Sequence, residues 1–166
     1  MKNFLSIIIL LFISTTLFAA VPEGRLFQFN RSKNANYICY DVNLLDDGKL
    51  DSKHPVTVYW IRAAEGGERK KLSFLQRTMA FGYKVISSGK DEATIHLTAY
   101  KELPIRVCHL RQKWVALVNV RNREVLLRKM YVKTVSPDSL KVEYVDVIGT
   151  DLESGKPVSH RISPEA

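Results

Sequence analysis

Ala93-Thr94-Ile95-His96-Leu97-Thr98-Ala99-Tyr100 decides the fold. Apolar and polar residues alternate through it, which puts Ala93, Ile95, Leu97 and Ala99 on one face. A strand buried on one side has this period of two. Leu140-Lys141-Val142-Glu143-Tyr144 repeats the pattern, and Val56-Thr57-Val58-Tyr59-Trp60-Ile61 is rich in β-branched and aromatic residues. Further strands are expected at 26–30, 37–43, 84–88, 105–111, 114–120, 125–135, 145–150 and 158–162. Turn chemistry separates them. Asp46-Asp47-Gly48-Lys49, Ser87-Ser88-Gly89-Lys90-Asp91, Arg121-Asn122-Arg123, Ser136-Pro137-Asp138-Ser139 and Glu153-Ser154-Gly155-Lys156 all read as tight connections. Many short strands joined this way predict an all-β fold with minor α content. The expected architecture is an antiparallel meander of about 8–10 strands that closes, or nearly closes, into a barrel, because closure removes exposed edges.

One segment departs from the strand period. Leu72, Leu75 and Met79 follow helical spacing, and Ser73 with Gln76 can form a capping box. Gly82 stands where a left-handed C-cap would end the helix. A short helix from about Phe74 to Phe81 is expected, packed on the sheet as a lid or plug, because so short a helix cannot stand alone.

The first residues address the protein rather than fold it. Met1-Lys2-Asn3 is cationic, 4–13 is almost unbroken apolar sequence, and Ser14 to Ala20 closes it with small residues. This is the order of a Sec-type secretory signal peptide, and the apolar run is short for a bilayer span. The expected organisation is a signal peptide over 1–20 and one domain over 21–166. The expected location is periplasmic or secreted, with no transmembrane segment after processing. The chain carries a formal net charge of +8. A basic exported protein meets anionic surfaces such as headgroups and acidic polymers. Its cations cluster at Arg69-Lys70-Lys71, 106–113 and 121–133, without the aromatic-studded motif of a nucleic-acid binder, and nucleic acid is excluded as a partner.

No sequence motif announces catalysis, metal or cofactor. His54, His96, His109 and His160 lack zinc spacing, Asp46, Asp47 and Asp51 lack the calcium-loop pattern, and Ser73, Ser87 and Ser136 lack a nucleophile-elbow context. Cys39 and Cys108 sit in expected strands. An oxidising compartment permits a disulfide between them, and burial as small hydrophobes is the alternative. The candidate ligand-binding set is Arg31, Asn34, Tyr40, Tyr59, Trp60, Gln76, Arg77 and Tyr83, one polar and aromatic cluster near the helix. Arg31 offers a planar fork for a carboxylate or phosphate, and Tyr and Trp pair an apolar body with a polar tip. Core packing is the competing reading of the aromatics, and a self-bonded turn that of Arg31 to Asn36.

The strings Arg31-Ser32-Lys33-Asn34-Ala35-Asn36-Tyr37 to Tyr40-Asp41, Gly48-Lys49-Leu50-Asp51, Pro55-Val56-Thr57-Val58-Tyr59-Trp60, Leu75-Gln76-Arg77 to Phe81-Gly82-Tyr83, and Gly149-Thr150-Asp151-Leu152 to Gly155-Lys156-Pro157-Val158 together resemble the bacterial family catalogued as domain of unknown function 4833. The resemblance spans most of the chain, from about Leu26 to Val158. It implies no catalytic residue, and only that the Arg31–Asp41 and Tyr59–Tyr83 regions act together. The leading expectation is an exported, non-catalytic binding protein for a small amphipathic ligand or for an envelope protein or glycan. The alternatives are an envelope hydrolase or transferase, and a structural or inhibitory protein acting through its basic surface.

Overall fold

The computed structural model describes residues 23–136 and 141–163. The expected signal peptide lies outside them, as does most of the expected Ser136-Pro137-Asp138-Ser139 turn. Eleven strands form one sheet. They are β1 (Arg25–Arg31), β2 (Tyr37–Val42), β3 (Val56–Arg62), β4 (Glu68–Lys71), β5 (Tyr83–Ser88), β6 (Glu92–Leu97), β7 (Tyr100–Leu110), β8 (Lys113–Val120), β9 (Arg123–Thr134), β10 (Val142–Asp151) and β11 (Pro157–Ile162).

The pairing branches at β9. β10 lies antiparallel along one edge of β9, with partners from Val125↔Asp151 to Thr134↔Val142. The other edge is divided. Its first part, Arg123 to Leu126, takes β8 antiparallel; its second part, Lys129 to Val132, takes β1 in parallel. One arm then runs β1-β2-β3-β4 and the other β8-β7-β6-β5. Nine strands curl into a half-barrel whose ends, β4 and β5, do not pair. Two expectations are corrected here. The barrel is open, because β9 gives one edge to both arms and so splays them apart. The sheet is not a pure antiparallel meander, because β1 returns beside β9 in the same direction.

The period-two reading holds in β6 and through most of β7, whereas β2 and β8 are buried on both faces, with Cys39 between Ile38 and Tyr40 and with Val115 to Val118 buried in a row. Ala93, Ile95 and Leu97 are buried, as are Ile105 and Val107 of β7, Ala116 and Val118 of β8, and Ile38 and Tyr40 of β2. Both arms and the β9–β10 trunk contribute to a single apolar cluster. Each fully buried aliphatic side chain contributes roughly 1.5–3 kcal/mol. The quoted decisive stretch ends early, though. Thr98 and Ala99 turn the chain, and Tyr100 opens β7. β4 was not anticipated, since all four of its residues are exposed and it has no apolar face to read. Its charges suit an edge, where they discourage pairing with another chain.

Two hairpins use two-residue turns whose central residues, Arg111-Gln112 and Arg121-Asn122, have positive φ. Such turns match the twist of the flanking strands, which outweighs the cost of placing arginine and glutamine there. Gly149 has a different reason. At a register shift of β10 against β9, a Cβ would stand 2.2 Å from the Leu126 carbonyl oxygen and 2.7 Å from a Val125 methyl. Gly149→Ala is expected to cost about 1–3 kcal/mol through overpacking against the trunk strand, read as a lowered urea midpoint.

Candidate functional site

Between β4 and β5 the chain forms a strap. Ser73 caps a single α-helical turn, α1 (Phe74–Gln76), by accepting from Gln76 N while Gln76 Oε1 accepts from Ser73 N. The chain continues as a π-helical turn over Arg77–Phe81. The helical span and its capping box match the sequence reading. Its orientation does not. Leu75 and Met79, expected on the sheet, point to solvent with Phe74, and Leu72 and Phe81 at the two ends are buried instead. The short turn is held by its ends rather than by a face. Gly82 is extended, not left-handed; it is glycine because a Cβ would lie 2.0 Å from the Arg77 carbonyl oxygen.

The anchor is Tyr40. Its ring is wholly buried, stacked on Phe27 with centroids 4.3 Å apart, and its hydroxyl donates to the Phe81 carbonyl at 2.8 Å. Burial pushes its phenol well above the ordinary range, so it stays a donor. Phe81 meets Phe29 and Trp60 edge to face, at 5.5 and 5.2 Å. At the strap's exit the Tyr83 hydroxyl bridges the seam. It accepts from Val56 N at 3.2 Å and donates to Val56 O at 2.8 Å.

β4 pairs only with Tyr59 to Arg62, so Val56 to Val58 present an unpaired edge of β3 toward β5. A groove of about 480 Å³ opens in this seam, lined by Val56, Val58, Tyr83 and Val85 with Lys53, His54, Lys71 and Arg77. A second groove of about 490 Å³ lies across the strap, lined by Asn34, Asn36, Trp60, Lys70, Ser73 and Gln76 among others. Lys71 borders both, and no carboxylate lines either. The Trp60 indole N–H is buried without a partner among the described residues.

The residues proposed from sequence therefore divide. Arg77 and Tyr83 line the seam groove, and Asn34, Trp60 and Gln76 line the second. Tyr40 lines neither groove; it holds the strap from within the core. Arg31 ends β1 beside Val132 of β9, away from both grooves. Tyr59 faces the opposite side of β3 from Trp60. There its hydroxyl donates to Asp41, which also accepts from Arg25 Nε, while the Arg69 guanidinium lies 3.5 Å over the ring. This polar layer, not the helix, covers the outer face of β2. Cys39, the cross-strand neighbour of Tyr59, is fully buried beneath it. Sequence reasoning passed over Lys53, His54, Lys70 and Lys71 as site residues. For Lys70 and Lys71 the sequence carries a signal, six cations and no acid from Arg69 to Lys90; for Lys53 and His54 it carries none of that kind.

Both cysteines are free thiols, so the disulfide permitted by the sequence is not formed. Burial pushes Cys39 up to about 11 and raises Cys108, which makes both poor nucleophiles. No group of three metal-binding side chains gathers among the described residues.

Two outcomes follow from this geometry. Tyr40→Phe is expected to cost about 1–3 kcal/mol by orphaning the Phe81 carbonyl, and to speed amide exchange across 72–82 more than in the sheet. Burial and the nearby Asp41 carboxylate push Tyr59 up to about 12 from 10. The folded state thus holds that proton more tightly, and its contribution is complete below about pH 10 and lost as pH rises toward 12. The fall in unfolding midpoint over that interval is expected to be shallower in Tyr59→Phe.

Comparison with curated proteins and with solved structures found no match. A family model matches residues 27–161, most of the chain and all the residues that build the seam. The chain therefore belongs to the family described as domain of unknown function DUF4833.

Proposed function

We propose that this chain is an exported, non-catalytic binding protein whose seam groove takes a small amphipathic anion. The observation that carries the reading is the groove's composition. Val56, Val58 and Val85 supply apolar wall, Tyr83 a wet-tipped ring, and Lys53, Lys71 and Arg77 a cationic rim, with no acid among the lining residues. Ligand sites are commonly apolar clefts with a few convergent polar groups, and 300–1,000 Å³ is their usual size. An acyl chain would lie along the valines, and its carboxylate or sulfate would face the rim. The π-helical turn agrees with this, since such turns occur frequently at functional sites. The apolar run and small-residue stretch at 4–20 support export to an envelope compartment, where amphiphiles are abundant.

The test is titration of the full chain with a fluorescent fatty acid, and with the alcohol of the same chain length. The acid is expected to bind tighter, with the difference shrinking in high salt. Lys71→Glu with Arg77→Glu is expected to weaken the acid about tenfold, which is about 1.4 kcal/mol. Val58→Trp is expected to abolish uptake by filling the groove from its β3 wall, with the circular dichroism spectrum retained. Equal binding of acid and alcohol, or unchanged affinity in both variants, overturns the proposal.

A further inference from the structure

The strap carries a surface that neither groove uses. Phe74, Leu75 and Met79 are 82%, 63% and 69% exposed, and none of them lines a groove. On the adjoining edge strand Val85 and Ile86 are also exposed. A globular chain rarely holds three large apolar side chains of one short turn in water without a use for them. The flanks of this tip are uniformly basic. Arg69, Lys70 and Lys71 precede it in β4, Arg77 lies within it, and Lys84 and Lys90 follow it, while the first acid after Glu68 is Asp91. The sheet does not cover the tip, because the strap is fastened at Leu72 and Phe81, below it.

We propose that Phe74, Leu75 and Met79 form a wedge that docks this protein on an anionic lipid bilayer, with the surrounding lysines and arginines on the headgroups. The chemistry is that of interfacial insertion. Apolar side chains enter the acyl boundary, and cations around them are drawn to negative lipid. A protein groove would need carboxylates opposite Lys70, Lys71 and Arg77, the cations on or next to the strap, as well as an apolar socket; a bilayer with anionic headgroups supplies both as a continuous surface. No helix among the described residues is long and apolar enough to cross a membrane. This goes beyond the groove reading and stands without it, since the wedge residues touch neither groove.

The experiment places an environment-sensitive fluorophore on the full chain through Met79→Cys. Cys39 and Cys108 are buried and react slowly under native conditions. Vesicles of phosphatidylglycerol and phosphatidylcholine in equal parts are expected to shift the emission to the blue, and vesicles of phosphatidylcholine alone are not. Phe74→Ser with Leu75→Ser, and separately Lys70→Glu with Lys71→Glu, are each expected to lower the partition coefficient by about tenfold or more. The two pairs remove different parts of the contact at exposed positions, so each checks the other against misfolding. The proposal is overturned if the label stays in water while the chain pellets with vesicles, which would place the contact elsewhere, including residues 4–13. It is equally overturned by a blue shift of the same size on neutral vesicles. A shift that grows with protein concentration without lipid would assign the wedge to a second copy and overturn it too.

Discussion

A β-strand has two edges, and the fold turns on how β9 uses them. One edge is taken whole by β10, which leaves the two arms to share the other. Neighbouring strands on one edge would collide if they continued in the same plane. β1 and β8 therefore diverge and carry their hairpins over a common apolar core. Closure into a barrel would need β4 to meet β5 by a ladder. Instead the strap fills that distance, and the unpaired backbone of β3 is left beside a groove. The opening is thus a topological product of the trunk strand, not a loosely packed region.

The strap shows how few interactions can position a segment of chain. It has one α-helical turn and one π-helical turn, no apolar face turned to the sheet, and a capping box at its start. Its place is set by Leu72 and Phe81, which are buried, and by the Tyr40 hydroxyl on the Phe81 carbonyl. A hydroxyl buried without a partner is costly, so Tyr40 fixes the strap's last carbonyl with some precision. The same economy leaves the middle of the strap outward-facing. Fastening at the ends frees Phe74, Leu75 and Met79 from any packing duty.

Much of this was legible in the sequence and some was not, for physical reasons. Alternation reports burial on one face, so β6 and β10 are readable; β8 is readable as a continuous apolar run buried on both faces; β4, exposed along its whole length, offers neither signal. Hairpin turns announce antiparallel neighbours, but nothing local announces that β1 will lie parallel to β9 about a hundred residues later. The Ser73–Gln76 box gave the helix, since capping is a local bond. Helical spacing of Leu72, Leu75 and Met79 reads as a buried stripe, yet Leu75 and Met79 are exposed, because spacing alone cannot tell a core face from an exposed one. Among the candidate residues, Trp60, Gln76, Arg77 and Tyr83 lie along the two grooves beside the strap. Tyr40 and Tyr59 were included for being aromatic, and their partners, Phe27 and Phe81 for one and Arg25, Asp41 and Arg69 for the other, lie at distances that sequence does not display.

The phenol of Tyr83 has a wider meaning for the seam. Where a strand pair would be zipped by a row of amide bonds, the β3–β5 contact has the Tyr83 oxygen serving as a two-way stitch on Val56, with a backbone bond from Leu50 N to Lys90 O beyond it. Parting it breaks two hydrogen bonds rather than a ladder, and water can take both ends at once. The seam can thus widen locally while every strand keeps its register.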